Sequence, residues 1–163
     1  MNDSVTFRPI RRTKRALDIR VAKQLLIDSR RGVLAVNGDN GYPYAVPINY
    51  LYDPETDRIY FHGARAGHKY DSIKACDRVC FTVYGNETIK DEPWAPYMQS
   101  AVAFGRCRPV DDPGEAFPLL KRLAMKYFPD ESIADKEIAS SGKAAQVYVI
   151  EIEHLTAKQV QER

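Results

Sequence analysis

The pattern of apolar and polar positions along this chain is mainly that of β-strands, because six segments alternate with a period of two or form short apolar runs. Turn-forming clusters at 37–41 and 53–57 separate the first three of these segments, which predicts an antiparallel meander. The predicted strands are 32–37, 42–52, 58–63, 78–84, 99–109 and 145–153. This arrangement predicts a mainly-β fold, a closed or partly closed β-barrel with flanking helices.

Helical spacing of apolar residues occurs in three segments, which we expect to pack outside the barrel. The predicted helices run from an Asp18 N-cap to about Ser29, over 69–75, and from Asp112 or Pro113 to just before Pro129. Because helices do not alternate with strands, a parallel α/β fold is disfavoured. Two prolines predict an irregular loop over 86–97, and residues 130–143 carry no clear pattern.

The composition is that of an ordinary soluble domain, with 28% charged and 44% hydrophobic residues among 163. We therefore expect one domain over 1–163, and a cytoplasmic protein with no membrane partner, since no apolar run approaches the roughly 20 residues that span a bilayer. The three cysteines make an odd number, which does not suggest a disulfide framework. No second ligand pair accompanies Cys76 and Cys80, so we predict no metal site and interpret all three cysteines as small core residues.

Positive charge is concentrated at the start of the chain. The formal net charge is +2, but residues 1–30 contain eight Lys or Arg and three Asp. A basic arm such as 1–17 can bind nucleic acid, yet Phe7 is its one aromatic residue and no base-reading motif follows. We therefore expect no nucleic-acid partner, and the alternative is a solvated segment that packs on its own domain or on a partner subunit.

The segment after the third predicted strand has the residues of an anion site. Gly63 and Gly67 bracket the short stretch 64–66, so backbone N–H groups could approach an anion closely. His68 and Lys69 would add positive charge, and the helix predicted next would direct its positive dipole end to the same loop. The alternative is an ordinary turn with two solvated basic residues.

The second predicted strand contains a proline that cannot donate a ladder hydrogen bond. Pro47 therefore marks an edge, or a place where a ligand ring meets the backbone, and Asn49 on the same face could bind a heteroaromatic edge. The alternative is an edge strand with an exposed Asn. His62 ends the third strand, facing away from Phe61. Since the chain has no nucleophile elbow and no Walker loop, its chemistry would come from a cofactor.

These segments resemble the pyridoxamine 5′-phosphate oxidase-like flavoproteins, and more closely their nitroimidazole-resistance (Nim) branch. Gly41–Tyr50 (GYPYAVPINY) and Ile59–Lys69 (IYFHGARAGHK) are the specific matches. Supporting matches follow the family's order at Gly32–Ala35, Arg78–Phe81, Ser100–Gly105 and Ile150–Lys158. The resemblance implies a split β-barrel homodimer that binds FMN at the subunit interface.

The resemblance also implies roles for single residues. The isoalloxazine would contact Val46, Pro47, Ile48 and Asn49. The ring and ribityl chain would pass His62, Gly63, Ala64 and Arg65. The phosphate would be held by Gly67, His68 and Lys69, and the site would be closed from either subunit by Ser100, with Trp94 or Tyr97.

The activity that the resemblance implies is that of an FMN-dependent oxidoreductase. Flavin N5 would take hydride from NADH or NADPH and reduce a small organic substrate, with nitro-aromatic compounds as candidates. His62 is the expected catalytic residue, which polarises the acceptor or donates a proton. The alternative is a non-enzymatic flavin- or haem-binding sensor or carrier. The chain lacks the Arg-rich substrate-phosphate motifs of a true pyridoxamine-phosphate oxidase, which disfavours vitamin B6 oxidation.

Overall fold

A computed structural model describes residues 6–90 and 95–161, which form one antiparallel sheet with helices around it. The strands are β1 (Ala16–Leu17), β2 (Arg31–Asn37), β3 (Pro43–Asn49), β4 (Leu51–Asp53), β5 (Arg58–Ala64), β6 (Arg78–Lys90), β7 (Ala95–Val110) and β8 (Ala145–Gln161). The α-helices are α1 (Ile19–Asp28), α2 (His68–Ala75), α3 (Pro113–Met125) and α4 (Glu131–Ser141). The predicted mainly-β class is confirmed.

The sheet closes into a barrel because one stretch of chain serves both of its edges. The strand order is β3-β2-β6-β7-β8-β5-β4, and β1 pairs with β8. Strands β3 and β4 are consecutive in the chain and separated by Tyr50 alone, so the segment 43–53 pairs with β2 in its first half and with β5 in its second. The sequence predicts this segment as one strand; the break at Tyr50 is what lets it change partners.

The alternation along the strands separates two buried layers. Ile59 and Phe61 of β5 are fully buried in the barrel interior, together with Tyr148 and Ile150 of β8. Tyr60 and Val149, which alternate with these residues along the two strands, belong to a second cluster that packs against α3. Both faces of β5 are therefore covered near its middle, and the strand reaches open space only at its end, at His62.

The helix N-termini follow the capping rules. Asp18 accepts a hydrogen bond from the Arg20 N–H at 2.8 Å, which confirms the predicted N-cap of α1. Asp112 accepts from the Gly114 N–H at 3.0 Å at the start of α3, where Pro113 occupies the first turn. Helix α3 is also bound to the barrel through Arg122, whose Nη1 lies 3.1 Å from the Asp53 carboxylate.

Two sequence predictions on the second half of the chain are wrong. The stretch 86–97 is not an irregular loop in its described parts, since β6 continues to Lys90 and β7 begins at Ala95. Pro96 lies opposite Ile89 of β6, just before Tyr97, where the described pairing of β7 with β8 begins. A proline is tolerated at such a strand end. Strand β8 runs to Gln161 rather than 153. Glu153 forms a bulge on β8 opposite Phe104 and Gly105 of β7, and the two strands remain paired beyond it.

Residues 130–143, which the sequence leaves unassigned, contain α4. Asp130 is its N-cap and accepts a hydrogen bond from the Ile133 N–H at 3.0 Å. Ala134 is the one buried residue in the described part of α4, which explains why the apolar residues of this segment show little helical periodicity. Among the cysteines, Cys107 is buried as expected, whereas Cys76 and Cys80 are only partly buried.

The basic arm packs on its own chain from Phe7 onward. The Phe7 ring stacks on His154 with centroids 4.6 Å apart, and β1 pairs with the end of β8. The arm's arginines remain mostly exposed. In the described parts of the chain, no helix has the length and apolar character needed to cross a membrane.

Candidate functional site

The ends of β3 and β5 bring the two specific segments of the sequence together. Asn49 and His62 line a shallow cavity of about 350 Å³, together with Arg31, Pro47 and Ile48. The same Asn49 and His62 line a neighbouring cleft of about 370 Å³ that extends beneath α3 and α4. The amide and the imidazole therefore stand at the junction of two open spaces.

His62 lies on the outer face of β5, as the alternation predicts, opposite Val147 of β8. Its ring is accessible to water, yet the surrounding protein desolvates it, and this effect together with nearby Lys69 lowers the pKa of His62. The imidazole is therefore neutral at pH 7. A neutral imidazole offers one N–H donor and one acceptor nitrogen to a bound molecule.

Lys69, in the first turn of α2, directs its ammonium group toward Gly63. A Cβ atom on Gly63 would lie 2.9 Å from Lys69 Nζ, so the absence of a side chain makes this approach possible. The ammonium lies 5.4 Å from the centroid of the Phe61 ring, and burial lowers the pKa of Lys69. Across the described residues, Lys69 Nζ has no hydrogen bond or ion pair, so this cation is available to an anionic ligand.

The loop before α2 has the backbone of an anion site. Gly67 is the N-cap of α2 with φ +103°, a conformation that favours glycine, and it provides no side-chain cap. The first N–H groups of the helix consequently lack intrahelical partners. Together with Lys69 they form the combination of dipole and charge that binds phosphate groups.

His68, expected beside the phosphate, is held elsewhere in this structure. Its ring stacks on Tyr44 of β3 with centroids 4.1 Å apart, and its Nε2 lies 3.6 Å from the Asp39 carboxylate. Both partners belong to the β2–β3 hairpin and its flank. The side chain therefore joins the loop to that hairpin, while its backbone N–H remains in the first turn of α2.

Arg65 also turns away from the Asn49–His62 junction. Its guanidinium donates to Gln146 Oε1 at 3.0 Å and to the Ala145 carbonyl at 3.2 Å, at the start of β8. Ala64 is fixed nearby, since its carbonyl accepts from the Tyr148 hydroxyl at 2.9 Å. The loop is thus tied to β8 on one side and to the hairpin on the other.

Along β3, residues alternate between the core and the open side. Val46 and Ile48 pack toward the barrel interior, so a ligand on the outer side would meet their backbone. Pro47 is exposed, opposite Val33, on the edge strand of the sheet order, and Asn49 is partly exposed on the same face. The edge predicted from Pro47 is confirmed.

Ser100 lies far from this group along the sheet. It pairs with Lys158 of β8, whereas His62 pairs with Val147 of the same strand. Eleven residues of β8 separate these two positions, about 36 Å of extended strand. Tyr97 lies further along β7, and Trp94 lies outside the described residues. Ser100 and His62 therefore pair with opposite ends of β8.

The sequence interpretation missed the residues that α3 and α4 contribute. Tyr127, just after α3, lies in the cleft beside Asn49, and Glu137 and Ser141 of α4 lie there too. Glu137 sits in the segment left unassigned from the sequence. Asp130 was the signal in the sequence that could have revealed this helix. An aspartate before a stretch that is compatible with a helix is a typical N-cap.

The fold is shared with several solved structures. A candidate 5-nitroimidazole antibiotic resistance protein from Bacteroides thetaiotaomicron aligns with a TM-score of 0.76 at 18% identity, over 90% of this chain and 87% of that one. A flavocytochrome from Azotobacter vinelandii aligns with a TM-score of 0.74 at 21% identity, over 92% of this chain and 71% of that one. A FAD-binding protein from Mesorhizobium loti aligns with a TM-score of 0.64 at 21% identity, over 90% and 97%.

These likenesses establish the split-barrel fold. The chain has no match among curated proteins. A family model described as pyridoxamine 5′-phosphate oxidase matches residues 18–159, a range that runs from the cap of α1 almost to the end of β8 and includes the whole candidate site. The chain belongs to the pyridoxamine 5′-phosphate oxidase family.

Proposed function

We propose that this protein is an FMN-dependent oxidoreductase that reduces a small organic acceptor. The observation that carries the proposal is the Lys69 ammonium, held over Gly63 without an anionic partner among the described residues, beside the cavity of Asn49 and His62. One cation and one helix N-terminus match a single phosphate monoester, which favours FMN. Flavin-binding proteins among the structural neighbours support a flavin.

The residues of this chain would divide the work as follows. Lys69 and the N–H groups at the start of α2 would hold the phosphate. The outer side of Pro47 and the Asn49 amide would orient the ring. Bound FMN would supply two-electron transfer at N5, from NADH or NADPH to the acceptor. The neutral His62 would donate its N–H to the acceptor, or hold a proton beside it.

We also propose that the site is completed by a second copy of the chain. Within one subunit Ser100 and His62 pair with positions eleven residues apart on β8, which supports the partner subunit as the source of a Ser100 that contacts the flavin. Size-exclusion chromatography with light scattering tests this proposal. A protein that binds FMN as a monomer would contradict it.

Flavin binding is the first test. The purified protein should show a flavin absorbance spectrum, or quench the fluorescence of added FMN as it binds. Lys69→Gln should weaken FMN binding about 10- to 150-fold, as expected for one charge-assisted hydrogen bond. Gly63→Ala should weaken it less, because its Cβ would displace only the flexible end of Lys69. Lys74→Gln is the matched control, since Lys74 is exposed on the same helix.

A protein that stays colourless and ignores added FMN would refute the proposal, and a Soret band would favour haem instead. Equal FMN affinity in Lys69→Gln and Lys74→Gln would remove Lys69 from the site.

Catalysis needs a second measurement. Anaerobic mixing with NADH or NADPH should bleach the flavin, and a nitro-aromatic acceptor should restore its colour. His62→Ala should slow acceptor reduction while FMN remains bound. A flavin that neither nucleotide reduces would favour a non-enzymatic binding protein. Unchanged acceptor turnover in His62→Ala would refute the role of His62.

A further inference from the structure

The cleft between the barrel and the helices α3 and α4 extends away from the loop that would hold the phosphate and shares Gly63 with it. Its volume of about 370 Å³ lies within the range of small-molecule sites. Asn49, His62 and Gly63 form its inner side, at the junction with the cavity above Pro47. Its helical walls are largely apolar and consist of Leu120, Leu123, Ala124, Phe128 and Ile138.

The rim of the cleft carries a negative charge that the structure orients. The Ser141 hydroxyl lies 2.6 Å from Glu137 Oε1 and 2.9 Å from the Glu137 carbonyl oxygen, and its proton serves one of these acceptors at a time; both residues line the cleft. Glu137 Oε2 has no hydrogen bond or ion pair with any residue that the structure describes. One carboxylate oxygen is thus held by Ser141 while the other is available to a ligand.

The other titratable groups that line the cleft are uncharged at neutral pH. Burial and Lys69 lower the pKa of His62, so its ring is neutral. Burial raises the pKa of Tyr127, so its phenol is protonated. Among the described lining residues, Glu137 therefore carries the formal charge, which makes the outer rim negative, while the Lys69 ammonium lies next to Gly63 at the inner end, where the phosphate would neutralise it.

We propose that this cleft binds the electron acceptor, and that the acceptor is a small flat molecule, neutral or cationic, with a positive or N–H-bearing group directed at Glu137. The inference rests on the proposed function, since it assumes a flavin over Pro47 and Asn49. A molecule in the cleft would then share Asn49 and His62 with the flavin site. Anionic acceptors would be disfavoured by the carboxylate at the rim.

Three probes with one ring and different charge test this preference: (4-nitrobenzyl)trimethylammonium, 4-nitrobenzyl alcohol and 4-nitrobenzoate. Calorimetry measures their binding to the purified protein without an electron donor, and kcat/KM is measured with the FMN-loaded protein. We expect the cation to bind about two- to fivefold more tightly than the carboxylate, as for a partly exposed ion pair. Glu137→Gln should abolish this preference, whereas Glu115→Gln, an exposed control on α3, should retain it.

A pair of tryptophan variants tests the place of binding. Ile138→Trp should fill the cleft and weaken all three probes at least about tenfold, with FMN affinity unchanged. Ala139→Trp, on the neighbouring exposed position of α4, should bind all three as the unmodified protein does. A charge preference that survives Glu137→Gln, or probe binding that survives Ile138→Trp, would overturn the inference.

The two proposals fail in different ways. If Ile138→Trp abolished FMN binding, the cleft would hold the cofactor and the inference on the acceptor would be wrong. If the unmodified protein bound no FMN at all, the proposed function would fail, whereas calorimetry would still measure the probes in the cleft.

Discussion

Tyr127→Phe removes one hydroxyl at the point where the barrel closes. Tyr127 Oη accepts a hydrogen bond from the Tyr50 N–H at 2.8 Å. Its own proton is directed at the carbonyls of Tyr50 and Arg30, at 2.8 and 2.5 Å. These bonds replace the ladder that is interrupted between β3 and β4. We expect the variant to fold with substantially lower stability.

The magnitude follows from the burial of Tyr50, which is 0% exposed. Its N–H would lose its partner at a buried residue, which costs about 1–3 kcal/mol. The hydroxyl proton serves one carbonyl at a time, so its loss adds about 1 kcal/mol. The free energy of unfolding should therefore fall by about 2–4 kcal/mol, a large part of the roughly 5–15 kcal/mol typical of a domain.

Urea unfolding followed by circular dichroism measures this loss, and hydrogen exchange measures the protection of the Tyr50 amide. Tyr42→Phe is the control, since Tyr42 is 76% exposed and its variant should stay within about 0.5 kcal/mol of the unmodified protein. A loss below about 0.5 kcal/mol in Tyr127→Phe, with the Tyr50 amide still protected, would refute the reasoning.

Two further variants test the packing around the same region. Burial lowers the pKa of Lys126 to about 8, so between that pH and about 10.4 the unfolded chain binds more protons and stability rises with pH. Urea unfolding of the unmodified protein and of Lys126→Met is compared at pH 7.5 and pH 10. From the lower to the higher pH, the free energy of unfolding of the unmodified protein should rise by about 1–2 kcal/mol relative to that of the variant. An equal pH dependence of the two proteins would contradict the prediction. Gly32→Ala would place a Cβ 2.2 Å from the Phe81 ring and should cost about 1–3 kcal/mol or more, whereas Gly85→Ala, 3.5 Å from Leu25, should be tolerated in the same assay.

The sequence interpretation succeeded wherever the controlling interactions are local. The turn at 37–41 is an example, because Asn40 and Gly41 adopt positive φ as such residues readily do. The helix start at Gly67 is another, since a glycine before a helical segment needs no distant partner. Sequence reasoning failed in the described parts of 86–97, where Pro96 suggests a loop but lies in β7, paired with Ile89 of β6.

The candidate site shows the same division. The proximity of Pro47 and Asn49 to His62 follows from the family resemblance, and the structure agrees in lining one cavity with all three. The orientations of His68 and Arg65 were not predictable, because their partners lie on the β2–β3 hairpin and on β8. Glu137 was missed since the burial of α4 is too slight to leave a clear pattern.

The sequence by itself determined where most of the strands lie, the turns, the basic arm and the glycine loop before α2, because side-chain periodicity and backbone preference act between near neighbours. The tertiary structure decided how the barrel closes at Tyr50, which side chains reach Asn49 and His62, and that α3 and α4 enclose a cleft beside them. These features depend on groups far apart in the chain, such as Tyr50 and Tyr127, whose burial and hydrogen bonding exist only once the fold has formed.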